Sequence, residues 1–279
     1  MNLENTPQKS PERLKILEKI KILEKEKKFD VDVENDPPEL ELFPENIDYL
    51  NKKLSSKIKT WFANVMATNF FEKLIKNKQL IIKEIKGIEN FLAVKGGAII
   101  TSNHFNPFEV YAVWRSIKPH MKGKKLYRII KEGNFTNPPP PFKLIMQHCN
   151  TLPLSRNRDT MKLFLKSINT LLTRGEKILV YPEQSMWWNY RKPRPLKSGA
   201  FKFAVSSNVP IIPFFLTMND SNIIGNDGFP IQEYTINIMP AIYPDKNLSK
   251  NENVEMMKDK NYEIWKKTYE EFYNIPLSY

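Results

Sequence analysis

Two stretches of this chain hold residue types that could move a proton and grip an anion. In TSNHFNPFEV, Thr101 to Val110, His104 follows an apolar run and Glu109 stands five positions on. Histidine has the one ordinary side-chain pKa near neutrality, so it takes a proton from a hydroxyl and gives it back. A carboxylate on its far ring nitrogen would fix the tautomer and stabilise the imidazolium. Glu109 reaches His104 if the chain turns into a helix between them. The same glutamate suits a second task. With Asn106 as N-cap and Pro107 first in the helix, Glu109 would complete a capping box. The two roles compete for one carboxylate, and the stretch by itself leaves both open.

The second stretch is ILVYPEQSMWW, Ile178 to Trp188. Pro182 cannot continue a central strand ladder, so the chain leaves a sheet there. Glu183 then falls at the sheet's carboxyl edge, facing a cleft or bound in a surface ion pair, with Ser185 just beyond. Arg191, Lys192, Arg194 and Lys197 follow, then Ser198-Gly199 ahead of a helical pattern. Guanidinium forks and a helix N-terminus suit a phosphate ester; a solvated basic loop has the same composition. Arg156, just past another apolar run, would hold a phosphate or pair with Asp159.

These residues need elements to position them. Short β-rich runs occur at 80–85, 97–101, 126–130, 151–154, 177–181, 211–217 and 234–239. Helical patterns fall at 107–117, 160–173 and 199–207, and a last one at 254–273. The alternation predicts an α/β domain with a mostly parallel central sheet of about seven strands flanked by helices. Ligands of such sheets gather at the carboxyl ends of strands, where both stretches lie. Residues 47–80 read as an amphipathic helical segment, with Leu54, Ile58, Phe62, Met66, Phe70 and Leu74 four apart and Trp61, Val65, Phe71 and Ile75 widening the face. Lysines crowd both ends. That pattern suits the interface of an anionic bilayer, or a helix packed on its own core. Residues 1–46 read as a charged, loosely docked extension with an acidic, proline-containing linker. Residues 47–279 read as one domain: the helical segment, a catalytic core at 81–245 and a C-terminal helix at 246–279.

Composition narrows the classes. The chain has 279 residues, 41% of them hydrophobic and 27% charged, enough to bury a full core. Its formal net charge is +12, which favours anionic partners: a membrane surface, a phosphorylated ligand or nucleic acid. The single cysteine, Cys149, rules out an internal disulfide framework and fits a reducing compartment. MNLENTPQKS has no apolar leader, and no apolar run approaches the ~20 residues of a spanning helix. No Cys/His cluster has metal-ligand spacing, so no metal is expected. His120 and His148 read as a loop and a structural histidine.

Taken in order, the stretches resemble the glycerolipid acyltransferase family of lysophosphatidate and lysophospholipid acyltransferases. The family's Asn-His, four residues, carboxylate is matched by Asn103-His104 through Glu109. Its strand ending in arginine is matched by Leu152-Pro153-Leu154-Ser155-Arg156, and its Phe-Pro-Glu-Gly-Thr-Arg by Tyr181-Pro182-Glu183-Gln184-Ser185-Met186. A Lys-Gly-type element at Leu196 to Phe201 and a Val-Pro-Ile-Ile-Pro strand at Val209 to Pro213 follow. The resemblance covers about residues 47–245. It departs at three positions: Glu109 stands for the usual Asp, Gln184 for Gly and Met186 for Arg.

The resemblance implies a peripheral enzyme on the cytoplasmic face of the cell membrane, acting in phospholipid synthesis or remodelling. His104, oriented by Glu109, would deprotonate an acceptor hydroxyl. That oxygen would attack the thioester of acyl-CoA or acyl-carrier protein, with backbone N–H groups near the helix start stabilising the oxyanion. Asn103, Arg156, Glu183, Ser185, Arg191, Arg194 and Lys197 would hold a lysophospholipid acceptor. No cofactor is implied beyond the acyl-donor substrate. A lipid substrate requires contact with an anionic membrane surface, which favours an interfacial use of Trp61, Phe62, Phe70 and Phe71. Two other classes compete. A basic nucleic-acid-binding protein would interleave bases and aromatics on one face, but here they are scattered and without a motif. A catalytically impaired membrane-binding homologue would bind liposomes without transfer. A hydrolase built on Ser102 or Ser185 lacks the Gly-x-Ser-x-Gly elbow.

Overall fold

The computed structural model describes residues 7–138, 140 and 142–279. Residues 1–6, which begin the stretch read above as lacking a leader, lie outside the described residues. Helix α1 (Pro11–Lys25) precedes α2 (Leu54–Lys76). Strand β1 (Ile81–Lys86), α3 (Ile88–Ala93), β2 (Ala98–Thr101) and α4 (Glu109–Ile117) follow. Next come β3 (Leu126–Ile130), α5 (Glu132–Thr136), α6 (Lys143–His148), β4 (Thr151–Pro153), α7 (Arg158–Thr173) and β5 (Lys177–Val180). The chain ends with α8 (Gly199–Ser206), β6 (Ile211–Ile224), β7 (Pro230–Ile238) and α9 (Lys250–Tyr273).

One seven-stranded sheet runs in the order β1-β7-β6-β2-β5-β3-β4. Every pairing is parallel except β6 with β7, which form an antiparallel hairpin. The expected mostly parallel seven-stranded sheet flanked by helices is therefore present. Strand alternation splits the apolar side chains between two faces. Ile100, Leu179 and Ile212 pack with Ala112, Val113 and Ile117 of α4. Ile99, Ile178 and Ile211 pack with Phe164, Ile168 and Leu171 of α7, Phe201 of α8 and Met257 of α9. Each such side chain, once buried, contributes roughly 1.5–3 kcal/mol. Gly97 leads into β2 where α7 comes close: a Cβ there would lie 2.1 Å from the Leu172 carbonyl oxygen. That close approach seats the start of β2, the strand whose far end leads to His104.

Two expectations change. Among the described residues, the N-terminal extension is packed rather than loosely docked. The Ser10 side chain accepts from Arg13 N–H at 3.4 Å, capping α1. Ile16, Ile20 and Leu23 of α1 are buried with Phe29, Val33, Trp187 and Trp188. The mostly charged sequence hid this, because three apolar residues one turn apart suffice when two tryptophans meet them. The acidic segment beyond α1 lies along the basic residues of the core, pairing Asp30 with Lys197, Asp32 with Lys131 and Glu39 with Arg156.

The α2 face also divides differently. Its small residues Thr60, Ala63 and Ala67, with Phe71, turn inward. Leu54, Ile58, Trp61, Phe62, Val65 and Met66 stay exposed, Trp61 at 61% and Phe62 at 55%. Phe71 stacks on Tyr111 at 4.5 Å, and Phe70 packs against Phe71, Phe108 and Phe142. Phe71 thus belongs to the core and Phe70 largely so. Small residues let the helix approach the domain closely, leaving its large ones outside. No helix among the described residues is long and apolar enough to cross a membrane.

Candidate active site

β2 ends at Thr101, and the chain enters a buried loop before α4. The Asn103 side chain holds that loop to the sheet. Its Nδ2 donates to the Leu216 carbonyl at 3.0 Å, and its Oδ1 accepts from Leu216 N–H at 2.9 Å. Both ends of the amide are spent on β6, so Asn103 positions the loop rather than facing a ligand. His104 follows with its ring 4.0 Å from Tyr181 and nearly parallel to it. Nδ1 of His104 meets Oε1 of Glu109 in a short contact. Oε2 of Glu109 accepts from Asn106 N–H at 2.9 Å, and Asn106 Oδ1 accepts from Phe108 N–H at 3.0 Å.

The two partners foreseen for Glu109 therefore do not compete. One carboxylate oxygen takes the Asn106 N–H and the other holds the imidazole, but the expected capping box is not formed: α4 begins at Glu109 with Phe108 as its N-cap, and Asn106 Oδ1 turns to Phe108 N–H. Glu109 is fully buried at the first residue of α4, where the positive end of the helix favours its charge. The geometry also spends donors that were expected to serve an oxyanion: the N–H groups of Asn106 and Phe108 already have acceptors. The Tyr181 hydroxyl is buried without a partner. Burial, followed by the charge of Glu109, pushes its pKa well up, so it stays a neutral ring against the imidazole.

Glu183 occupies the carboxyl edge of β5 as expected, but in a buried network rather than a cleft. Its Oε1 accepts from Arg194 N–H at 2.8 Å. Its Oε2 accepts from Arg194 Nη2 at 2.9 Å and from His104 N–H at 3.1 Å. Arg194 is 1% exposed, lies over the Trp187 ring at 4.8 Å, and donates to Ser185 Oγ at 2.7 Å and the Phe29 carbonyl at 3.0 Å. Ser185 is buried in the same network. Glu183, Ser185 and Arg194 thus fix the backbone under His104 and are closed to an acceptor in this arrangement. Trp187 N–H adds a bond to the His104 carbonyl at 3.1 Å, and Asn189 N–H one to Phe105 at 2.9 Å. Gln184, at the family's glycine position, keeps a left-handed φ of 67°. The tight turn survives the loss of glycine, at the usual cost of that conformation for an L side chain.

The remaining predicted anion-binding residues are engaged in ion pairs. Arg191 meets Asp220 at 2.7 Å and Lys197 meets Asp30 at 2.9 Å. Arg156 pairs with Glu39 at 3.0 Å and Glu132 at 3.5 Å, not with Asp159, and stays 70% exposed. Sequence reasoning passed over Tyr181 as a partner of His104, although it stands in the motif's first position. It also passed over Glu132, whose buried carboxylate takes Ser155 Oγ at 2.7 Å and Leu42 N–H at 2.9 Å, tying the N-terminal segment to the core. No cluster of His, Cys, Asp and Glu suited to a metal ion occurs among the described residues.

Known proteins resemble parts of this chain. A family model described as Acyltransferase matches residues 83–217, spanning His104, Glu109, Arg156 and Glu183. An uncharacterized acyltransferase of Schizosaccharomyces pombe is 29% identical over 128 residues, 45% of this chain and 43% of that protein. The match thus spans less than half of the relative's length. Among solved structures, the 1-acyl-sn-glycerophosphate (LPA) acyltransferase PlsC of Thermotoga maritima aligns with a TM-score of 0.44 at 17% identity, over 77% of this chain and 84% of that one. The His104–Glu109 pair at the carboxyl edge of the sheet lies inside the segment that matches the Acyltransferase family model.

Proposed function

We propose that this protein moves a fatty acyl group from an acyl thioester to a hydroxyl of a lysophospholipid, 1-acyl-sn-glycerol-3-phosphate or a related lysolipid. The observation that carries the reading is the His104–Glu109 contact, with the second glutamate oxygen held by Asn106. With Nδ1 committed to Glu109, Nε2 faces the reaction and has no partner among the described residues. His104 Nε2 removes the proton from the acceptor hydroxyl. The oxygen attacks the thioester carbonyl, and Glu109 stabilises the imidazolium that forms. The tetrahedral intermediate collapses, the C–S bond breaks, and the thiolate leaves with the proton from His104. The balance needs no metal and no covalent enzyme intermediate. Acyl-CoA or acyl-carrier protein supplies the thioester.

The acceptor is a lipid, and the exposed side of α2 offers a place to meet it. Trp61, Phe62, Ile58 and Leu54 form an apolar strip beside Lys52, Lys53, Lys57 and Lys59. Aromatics set among lysines suit the headgroup region of an anionic bilayer. The protein then works peripherally, with the carboxyl edge of its sheet turned toward the surface.

The test is acyl transfer by purified protein on anionic vesicles. Acyl-CoA and acyl-carrier protein are each offered with lysophosphatidate, other lysophospholipids and monoacylglycerol, with His104→Ala beside the wild type. Product that disappears in the folded variant supports the reading. A folded, vesicle-bound wild type that yields no product with any pair refutes it and leaves a membrane-binding role.

A further inference from the structure

The sequence offered Arg156, Arg191, Arg194 and Lys197 for an acceptor phosphate, and the structure gives each of them a carboxylate. One arginine of the sheet, in β3, has none among the described residues. Arg128 of β3 pairs in register with Leu179 of β5, and Tyr181 lies two residues beyond Leu179 on the same face. His104 stacks on that Tyr181. Among the described residues, Arg128 has no ion-pair partner, and its side chain makes one long hydrogen bond, Nη2 to the Ile145 carbonyl at 3.3 Å. It is half-buried, lining a cavity under α2 with Asn64, Phe71, Tyr111, Trp114 and Cys149. Its charge reaches two neighbours: it tempers the upward push that burial gives the Tyr181 hydroxyl and the Cys149 thiol.

A half-buried guanidinium has five donors to satisfy and is costly to leave uncompensated. In a cavity walled by aromatics, the ligand that meets both demands is an amphiphile with an anionic head. Asn150, on the same wall, keeps one amide oxygen buried without a partner. A 1-acyl glycerophosphate supplies the anion for Arg128, and its one free hydroxyl is left for His104. Arg128 lies on the face of the sheet that carries Tyr181, the ring on which the base stacks, and its charge is felt there. We propose that Arg128 holds the phosphate monoester of the acceptor lipid and sets the preference for phosphate-bearing over neutral acceptors. This rests on the acyl-transfer reading above. It would compensate for Met186 at the family's arginine position, from a strand outside the motifs.

Binding and transfer are measured together for wild type, Arg128→Gln and Arg128→Lys, with melting temperatures confirming that each folds. Calorimetry uses lysophosphatidate, monoacylglycerol of the same chain length, glycerol 3-phosphate and coenzyme A. Loss of a charge-assisted pair predicts that Arg128→Gln weakens lysophosphatidate roughly 10- to 100-fold. The loss appears in KM rather than kcat, the selectivity over monoacylglycerol falls by a similar factor, and Arg128→Lys recovers part of it. Weaker binding of glycerol 3-phosphate in step with lysophosphatidate places the contact at the headgroup. Equal losses for lysophosphatidate and monoacylglycerol overturn the proposal, as does a loss confined to coenzyme A or unchanged lysophosphatidate binding in a folded Arg128→Gln. Arg128-dependent binding in a protein that transfers nothing upholds the site and rejects the reaction. Transfer to lysophosphatidate with an unchanged KM in Arg128→Gln does the reverse.

Discussion

Glu109 binds His104 with one carboxylate oxygen and the backbone N–H of Asn106 with the other, at 2.9 Å. The helix start and the imidazole are thereby locked together through one buried group. Glu109→Gln separates the two functions. Its amide keeps an oxygen for one partner and loses the charge for the other, leaving His104 without support for the protonated form. Turnover is expected to fall by about three to four orders of magnitude, as for the carboxylate of a catalytic triad. The melting temperature should drop by only a few degrees, as for loss of a cap. A variant that loses stability but keeps its rate would confine Glu109 to its bond with Asn106.

Arg194 and Glu183 form the buried pair beneath His104, 1% and 2% exposed at their side chains. Removing one member strands the other charge away from water. Arg194→Met should therefore cost about 3–5 kcal/mol in urea unfolding. The double variant Arg194→Met with Glu183→Gln should recover part of that loss, because no charge is left uncompensated. If the single variant unfolds at the wild-type midpoint, the network is not the support described.

The exposed strip of α2 gives a membrane prediction independent of turnover. Trp61→Glu with Phe62→Glu should abolish co-sedimentation with anionic vesicles at moderate salt and leave the melting temperature within about a degree or two, since both side chains are exposed. Phe70→Glu should instead lower stability, because Phe70 packs on Phe71, Phe108 and Phe142. Unchanged sedimentation of the Trp61/Phe62 variant would remove α2 from the interface.

Lys177 begins β5 at the end of the sheet away from the site, 5% exposed. Its Nζ donates to the Gly96 carbonyl and lies 5.5 Å from the Phe91 ring. Burial pulls its pKa down to about 8, against the upward effect of Glu176. Above that value the folded chain sheds a proton that the unfolded chain keeps up to about 10.4. The burial cost is fully present below the folded pKa and relieved as pH rises through the window. Lys177 should therefore add up to ~1.4 kcal/mol of stability per pH unit between about pH 8 and about pH 10. Urea midpoints from about pH 7.5 to about 9.5 should rise in the wild type and flatten in Lys177→Met. Parallel curves for the two proteins would show that Lys177 stays charged in the folded state.

The sequence by itself determined the sheet, because buried parallel strands are short apolar runs and helices between them repeat at their own period. It also singled out His104 and Glu109 as a pair: they sit five positions apart across a strand-to-helix turn, and local geometry alone brings them into contact. Tertiary structure decided everything that depends on residues far apart in the chain. Glu183, Ser185 and Arg194 look like ligand-binding groups in sequence. Burial makes them a closed support, because an ion pair out of water must satisfy itself. The acidic stretch beyond α1 reads as a linker until its carboxylates meet Lys131, Arg156 and Lys197. Arg128 lies in an ordinary strand pattern with no motif around it. Only the register of β3 on β5 puts its charge on the face of Tyr181, since strand side is invisible until the neighbouring strand is placed.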